Sequence, residues 1–490
     1  MSPDPTVDLV HAPLAHWAKT RGEAVAIRCG THSIRFAQLQ QQLTQRAQAL
    51  SQARAPASVL VDAAQALPDR LVDFLGIIAS GRCAVVGDPD WPRAVREAVQ
   101  AALPTQGVDT PAPQPTSPFY VGYTSGSTGA PKGYRRHHRS WTTSFQACLD
   151  AFGADAGSCI LAPGRDSHSL FLFGMLLGLW TGGGVEVQEQ FSASAALDTL
   201  RSGRTPCLVA VPSQLLLMME TAQHQNSPPI DAVRLILVSG SRWMRQRTPA
   251  LQALFPAARI IEFYGASETS FIAWMDTDVQ ADAAVVGRPF DNVELQIRAP
   301  QGEDSAGLIY VRSPMVFMDY VGGADDATAA LRDGDWICVR DLGYLDAQGR
   351  LCVVGRQNRM LVTLGKNLFP EEVESVLERH PGIASASVHG LADPLRGLQV
   401  VAIIRWAHSS HGSAHPGPAL PDALALKAWC KQRLEGFKTP RKFFVTADWC
   451  YTASGKTDHR ALGQALLALQ DKGQGAGPHS DRTPCLIPLP

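Results

Sequence analysis

The chain is short of several things, and each shortage narrows what it can be. Its 490 residues carry almost no net charge, −1 from 44 basic and 45 acidic side chains. A nucleic-acid partner calls for a basic excess, so that class is set aside. No run approaches the roughly 20 apolar residues of a membrane span. The longest uncharged apolar stretch, Ser169 to Trp180, reads instead as a buried helix. The first eight residues, Met1 to Asp8, are acidic and lack an apolar signal core, so no export is expected. Ten cysteines are scattered without C-x-x-C pairs or ligand-like histidine spacing. That pattern points away from a disulfide frame or a cysteine-held metal and fits reduced thiols, hence a cytoplasmic location. Internal repeats are missing too.

What is present is a globular composition, 45% apolar and 18% charged, on a chain long enough for two or more domains. Short apolar runs alternate with helical spacing. Expected strands are 58–62, 83–87, 119–123, 159–162, 208–211, 235–238 and 259–263, and expected helices are 36–50, 71–79, 141–152 and 169–180. This rhythm predicts a mostly parallel α/β sheet whose ligands lie beyond the carboxyl ends of its strands. Residues 285 to 355 turn β-rich, with turns at Gln301-Gly, Asp333-Gly and Gln348-Gly. From about 359 a compact α/β piece follows, with helices at 370–379 and 424–434 and strands at 384–388 and 401–404. The three histidines of 408–421 read as a solvated surface loop, and the tail after Lys472 as frayed.

The most informative segment is Tyr123-Thr-Ser-Gly-Ser-Thr-Gly-Ala-Pro-Lys132-Gly133. Glycines Gly126, Gly129 and Gly133 let backbone approach a ligand closely. Hydroxyls of Thr124, Ser125, Ser127 and Thr128, with the charge of Lys132, complete a cradle for phosphate oxygens. It is not a G-x-x-x-x-G-K-[ST] loop, because Pro131 and Gly133 stand where Gly and Ser/Thr belong. Such a stretch can be a plain linker, but a preceding apolar strand and a closing lysine favour phosphate.

Four further segments carry chemistry. Phe263-Tyr264-Gly265-Ala-Ser267-Glu268-Thr269 ends a strand and offers an aromatic face, a hydroxyl and a hard carboxylate suited to Mg²⁺. Asp341-Leu-Gly343 could accept both hydroxyls of a ribose, or be an ordinary turn. Gly355-Arg356-Gln-Asn358-Arg359 leads through Gly365 to Pro370-Glu371-Glu-Val-Glu374. Near the end stands Thr452-Ala-Ser-Gly455-Lys456-Thr-Asp458.

In this order the five segments resemble the motifs of the AMP-forming adenylating enzymes: acyl- and aryl-CoA synthetases, adenylation domains of nonribosomal peptide synthetases, and luciferases. The likeness spans roughly residues 119 to 460. Ser267 replaces the family's Thr, Val339-Arg340 replaces Thr-Gly before Asp341, and Asn358-Arg359 replace two Asp residues at the hinge. The resemblance implies a large N-terminal α/β domain (1–357) of doubly wound sheets with a β-rich subdomain, and a small mobile α+β lid (358–490).

It implies residue roles as well. Thr124 to Lys132 would hold the β and γ phosphates of ATP, Glu268 and Thr128 would hold Mg²⁺, and Tyr264, Gly265 and Ser267 would border the nucleotide. Asp341 and Arg356 would take the ribose hydroxyls, and Gly240 and Ser241 would wall the pocket. Lys456 would bridge carboxylate and α-phosphate. Rotation about Asn358 would then swap Lys456 for the Gly365 segment and admit a thiol.

The acid itself is read from Asp166-Ser-His168-Ser169. Amino-acid-activating relatives place an Asp at the start of the following helix, whereas His168-Ser169 stands here, as in acyl- and aryl-CoA ligases. A fatty or aryl acid passed to CoA is therefore expected, with His168 as a gate and Asp166 as the fallback partner of an ammonium. A carrier-protein phosphopantetheine thiol or an amino-acid substrate is the alternative. A non-catalytic adenylate-binding regulator is the second, disfavoured by the presence of Lys132, Glu268 and Lys456.

Overall fold

The computed structural model describes residues 8–124, 131–298, 306–321, 325–364, 366–393, 397–407, 421–452, 455–472 and 484–489. Two sheets organise everything before residue 357. In the larger one, the short strands Ile160–Ala162, Cys207–Ala210 and Leu235–Val238 lie parallel and wholly buried, and Leu235–Val238 also pairs in parallel with Arg259–Ala266. Continuous apolar runs of this kind occur where helices cover both faces. The neighbouring helix Ser169–Trp180 is buried along all but its first residue, which explains why its sequence is apolar all round.

Beyond Arg259–Ala266 the sheet turns antiparallel and runs through Ser270–Asp276 and Val285–Pro289 to Leu351–Arg356, Trp336–Leu345 and two further strands. The β-rich stretch expected from sequence is thus the outer half of the same sheet. At its other end sits a hairpin, Val25–Cys29 with His32–Arg35, pairing in parallel with Val185–Val187. The strands before residue 117 therefore divide between the two sheets, because strand pairing is a long-range choice that local patterning does not encode.

The smaller sheet holds Ser58–Leu60, Cys83–Val85, Pro118–Thr124, Lys132–His137 and Asp319–Tyr320. Pro118–Thr124 and Lys132–His137 are antiparallel, with Thr124 opposite Lys132. The glycine-rich segment is the connection of a β-hairpin. One apolar cluster fills the space between the two sheets, from Val10 to Leu351, and a second lies under the parallel strands.

The two sheets are also riveted by charge. Arg70, on helix Leu67–Ala79, makes two hydrogen bonds to Asp166, at 3.0 and 2.9 Å, and both residues are buried. Arg165 pairs Asp88 at 3.1 Å, and Ser167 donates to the same carboxylate at 3.2 Å.

After Leu361 the chain builds two apolar clusters of its own. They are organised by a four-stranded sheet of Ile383–Asp393, Gly397–Trp406, Lys442–Val445 and Ile487–Pro488. The last strand corrects the expectation of a frayed tail: Ile487 pairs with Val445, and Leu486 is buried. The remaining bounds differ from the sequence reading by a few residues at element ends, as in Leu67–Ala79 and Ala423–Lys431. The 408–420 stretch, with its histidines, lies outside the described residues.

Removing one partner of a buried ion pair strands the other charge, at a cost of about 3–5 kcal/mol. Asp166→Ala is therefore expected to lose that much stability in urea unfolding; a loss under about 1 kcal/mol would mean that water already reaches Arg70.

Candidate active site

Four loops leave the parallel strands at one edge, the edge at which a doubly wound sheet binds ligands. They carry His168 after Ile160–Ala162, Val211 to Ser213 after Cys207–Ala210, Ser239 to Ser241 after Leu235–Val238, and Tyr264 to Glu268 at the end of Arg259–Ala266. Gly240 has φ +91°, a conformation that suits glycine, and brings the backbone close to Lys456: a β-carbon there would lie 3.6 Å from Lys456 Cε.

Lys456 reaches this edge from the C-terminal unit on a tight turn. Thr452 N donates to Lys456 O at 2.7 Å, Lys456 N to Thr452 Oγ1 at 3.2 Å, and Gly455 takes φ +76°. Ser213 Oγ clips the turn to the large unit through Gly455 O at 2.7 Å. A β-carbon on Gly455 would lie 3.0 Å from Val211 Cγ2, a tight contact at a φ that favours glycine.

The ammonium is withdrawn from water and its pKa falls to about 8, first through burial and then through the Arg356 guanidinium; Glu268 and Asp341 pull it the other way. Asp341 lies opposite Arg356 across two strands, with Arg356 Nε 3.3 Å from its carboxylate, and Tyr264 Oη donates to it at 2.5 Å. Burial nonetheless raises the pKa of Asp341. His168 is driven down to about 3 by burial and by the charge of Lys456, so its ring is neutral, and its Nδ1 has no hydrogen-bond partner.

Glu268 accepts from Tyr320 Oη at 2.6 Å, and the Lys132 ammonium lies over the Tyr320 ring at 5.8 Å. Tyr320 was not singled out in the sequence; it arrives on the strand Asp319–Tyr320, which pairs with Lys132–His137. Arg136, equally unmarked, is fully buried and holds the Glu268 loop through Ser267 O at 2.7 Å, Ser270 Oγ at 2.6 Å and Met315 O at 2.5 Å. The strand Lys132–His137 reads Lys-Gly-Tyr-Arg-Arg-His, so nothing in its pattern separates the buried Arg136 from the half-buried Arg135 beside it.

Lys456, Glu268, Asp341, Arg356, Tyr264, His168 and Gly240 thus gather around one point, with Lys132 and Thr124 at the adjoining hairpin. Ser241 is exposed at the edge, and Gly265 packs against the Ser270 carbonyl. Asn358 is exposed in the turn Gln357–Arg359. Ser125, Gly126, Ser127, Thr128, Gly129 and Gly365 lie outside the described residues.

One residue does not serve the pocket as the sequence allowed. Asp166 is fully engaged by Arg70, so it is not available to an ammonium group. Arg242 donates to Val353 O at 3.2 Å and faces Glu378, Glu371 and Glu374 across the seam between the units. Arg359 explains itself by structure: it bridges Glu371 at 2.9 Å and Glu374 at 2.6 Å, tying the turn Gln357–Arg359 to the helix Pro370–Glu378.

A hard carboxylate suits Mg²⁺, which is usually held by one or two carboxylates and substrate phosphates. Glu268 is that carboxylate, and among the described residues no cluster of three or more His, Cys, Asp or Glu side chains forms a protein-only metal cage.

With a pKa near 8, Lys456 is expected to react with an amine-directed acylating reagent along a titration centred near pH 8. Arg356→Ala should raise that midpoint and Asp341→Asn should lower it, because one removes a like charge and the other an opposite one. A wild-type midpoint near 10.5, measured by mass spectrometry of the labelled peptide, contradicts this picture.

Comparison with known proteins shows the family of the chain. Residues 57–321 match the AMP-binding enzyme family, and residues 372–456 match the AMP-binding enzyme C-terminal domain. An uncharacterized acyl-CoA ligase of Bacillus subtilis, YhfT, is 36% identical over 74% of this chain and 70% of its own length. A putative long chain fatty acid-CoA ligase of Staphylococcus epidermidis, VraA, is 30% identical over 71% of each chain. In fold, the chain is similar to the anthranilate CoA ligase AuaEII solved with anthranoyl-AMP, at a TM-score of 0.80 over 94% of this chain and 98% of that one, with 19% identity. No helix among the described residues is long and apolar enough to cross a membrane. The chain belongs to the AMP-binding enzyme family.

Proposed function

We propose that the protein is an AMP-forming acid–thiol ligase that activates a carboxylic acid lacking an α-amino group, fatty or aryl, and passes it to CoA. The observation that carries this reading is the desolvated Lys456 ammonium held among Glu268, Asp341 and the Gly240 backbone. The acid class rests on Asp166 being consumed by Arg70, on a neutral His168, and on the apolar Ser169–Trp180 helix behind it.

In the first step a carboxylate oxygen attacks the α-phosphorus of ATP. The bond from that phosphorus to the bridging oxygen breaks, and its electron pair leaves with pyrophosphate. Lys456 stands between the incoming carboxylate and the α-phosphate and balances the charge that grows there, an interaction strengthened by exclusion of water. Asp341 and Arg356 fix the ribose, and Tyr264 borders the adenosine. Thr124 and Lys132, with the loop between them, take the β and γ phosphates. Mg²⁺, held by Glu268 with the phosphates, would supply charge neutralisation.

For the second step we place the boundary between the units at 357/358. A rotation there would withdraw Lys456, whose turn touches the large unit through Ser213 and Val211, and open the edge to the thiol. The sulfur then attacks the acyl carbon and AMP leaves.

Acid-dependent exchange of labelled pyrophosphate into ATP tests this directly across fatty, aryl and amino acids. Exchange with a fatty or aryl acid, followed by thioester and AMP when CoA is added, is expected. Exchange with amino acids alone overturns the acid class, and thioester formed only on a carrier protein overturns the CoA assignment. Lys456→Ala should cut exchange by about 10²–10³ while the protein stays folded. Because Lys456 works as a cation with a pKa near 8, kcat/KM for ATP is expected to fall as pH rises through about 8. A profile flat to pH 10 would remove Lys456 from this role.

A further inference from the structure

The helix Pro370–Glu378 carries a row of acids that its own unit only partly balances. Glu371, Glu374 and Glu378 stand three and four residues apart, so they share one face of the helix. Arg359 is bonded to the first two, and Glu378 accepts a hydrogen bond from Ala386 N at 3.2 Å. His459 Nδ1 stands 3.5 Å from Glu374, but burial holds its pKa at about 4, so the ring brings no charge at neutral pH. Glu371 Oε2 is buried and has no hydrogen-bond partner among the described residues.

The large unit meets this face near both ends of the helix. A β-carbon on Gly355 would lie 2.9 Å from Glu371 Oε2. At the far end Gln246 Nε2 donates to Glu378 O at 2.8 Å. Arg242 joins the two contacts: it stands four residues before Gln246, and its guanidinium donates to Val353 O at 3.2 Å, two residues from Gly355. Burial lowers its pKa, and the carboxyl groups that act on it are Glu378 first, then Glu371 and Glu374. Glu378, lifted to about 8 by burial and then by Glu374, keeps its proton at neutral pH. Two cations, Arg359 and Arg242, then face two carboxylates, and the charge on this face balances with Arg242 in place. The same helix is tied to the Lys456 turn. Glu374 accepts from Val388 N at 2.8 Å beside His459, whose Nδ1 lies 2.8 Å from Ser387 Oγ. His459 is three residues beyond Lys456 and begins the helix His459–Lys472.

Resting on the adenylate-forming reading above, we infer that Arg242 and Gln246 are positioning residues for the first step: they dock the helix Pro370–Glu378 and so hold Lys456 at the α-phosphate. They act through the unit that carries Lys456, at a second place from the Ser213 clip on the turn itself. Holding a charged group in place ahead of the reaction is worth much of a barrier, and a small displacement forfeits it. The thiol step, run with Lys456 withdrawn, does not need these two residues.

The test compares the full chain with Gln246→Ala, Arg242→Gln and Arg242→Lys in the two half-reactions taken separately. These are acid-dependent exchange of pyrophosphate into ATP, and thioester formation from preformed acyl-AMP and CoA. Gln246→Ala, an exposed change that leaves the core intact, is expected to lower kcat for exchange about two- to tenfold, the range of one hydrogen bond. Arg242→Gln should lower it about tenfold or more, because it leaves partly buried carboxylates unbalanced. KM for ATP should hardly move, thioester formation from acyl-AMP should be as fast or faster, and Arg242→Lys should recover most of the loss. The pH midpoint of Lys456 labelling should rise from about 8 toward 10.5 in Arg242→Gln. Equal loss in both half-reactions would mean a merely structural role, and an unmoved midpoint would mean that the docking does not place Lys456; either overturns the inference. A wild-type protein without acid-dependent exchange overturns the adenylate reading instead, and the labelling midpoint still decides whether these residues position Lys456.

Discussion

One desolvated charge governs this structure. Lys456 belongs to the small C-terminal unit but ends among side chains of the large one, where burial lowers its pKa to about 8 and Glu268 and Asp341 offset part of that cost. An ammonium withdrawn from water is tolerated only when opposite charge surrounds it, and such positions are where proteins keep catalytic groups. The features nearby serve that placement. Gly455 and Gly240 allow close approach, Ser213 clips the turn, Tyr264 and Arg356 hold Asp341, and Tyr320 and Arg136 hold the Glu268 loop.

The same charge sets what the seam between the units must do. A permanent contact around Lys456 would suit one reaction and obstruct the next. Among the described residues the contacts across the seam include Ser213 to Gly455, Gln246 to the Glu378 carbonyl, Arg242 facing a cluster of glutamates, and the packing of Phe369 and Glu371 against Gly355. Each unit has its own apolar clusters, so neither needs the other to bury its core. Arg359 is tied to the small unit by its two glutamates, so in the rotation proposed above it would move with that unit.

Legibility followed the range of the interactions. Strands such as Leu235–Val238 and the helix Ser169–Trp180 were readable because burial on every side leaves an unbroken apolar run. Lys456, Glu268 and Asp341 were readable because glycine-bearing motifs surround them. What escaped was decided at a distance. Arg70 and Asp166 lie 96 residues apart, and their pairing decided that Asp166 was not an ammonium partner. Tyr320 meets Glu268 across 52 residues. Arg359 had no meaning in a motif that usually carries Asp, until its glutamates appeared one helix later. The last strand, Ile487–Pro488, was hidden for the same reason: two residues gain strand geometry only from the edge of Lys442–Val445.

The central claim is that a carboxylate oxygen attacks the α-phosphorus at the point marked by Lys456. Its most direct measurement follows one atom. With an acid labelled by ¹⁸O in its carboxylate, complete turnover with ATP and CoA should leave one ¹⁸O in the AMP, seen by mass spectrometry, and none in inorganic phosphate or pyrophosphate. Label appearing in phosphate with ADP as the partner product would mean attack at the terminal phosphorus, and would contradict the account.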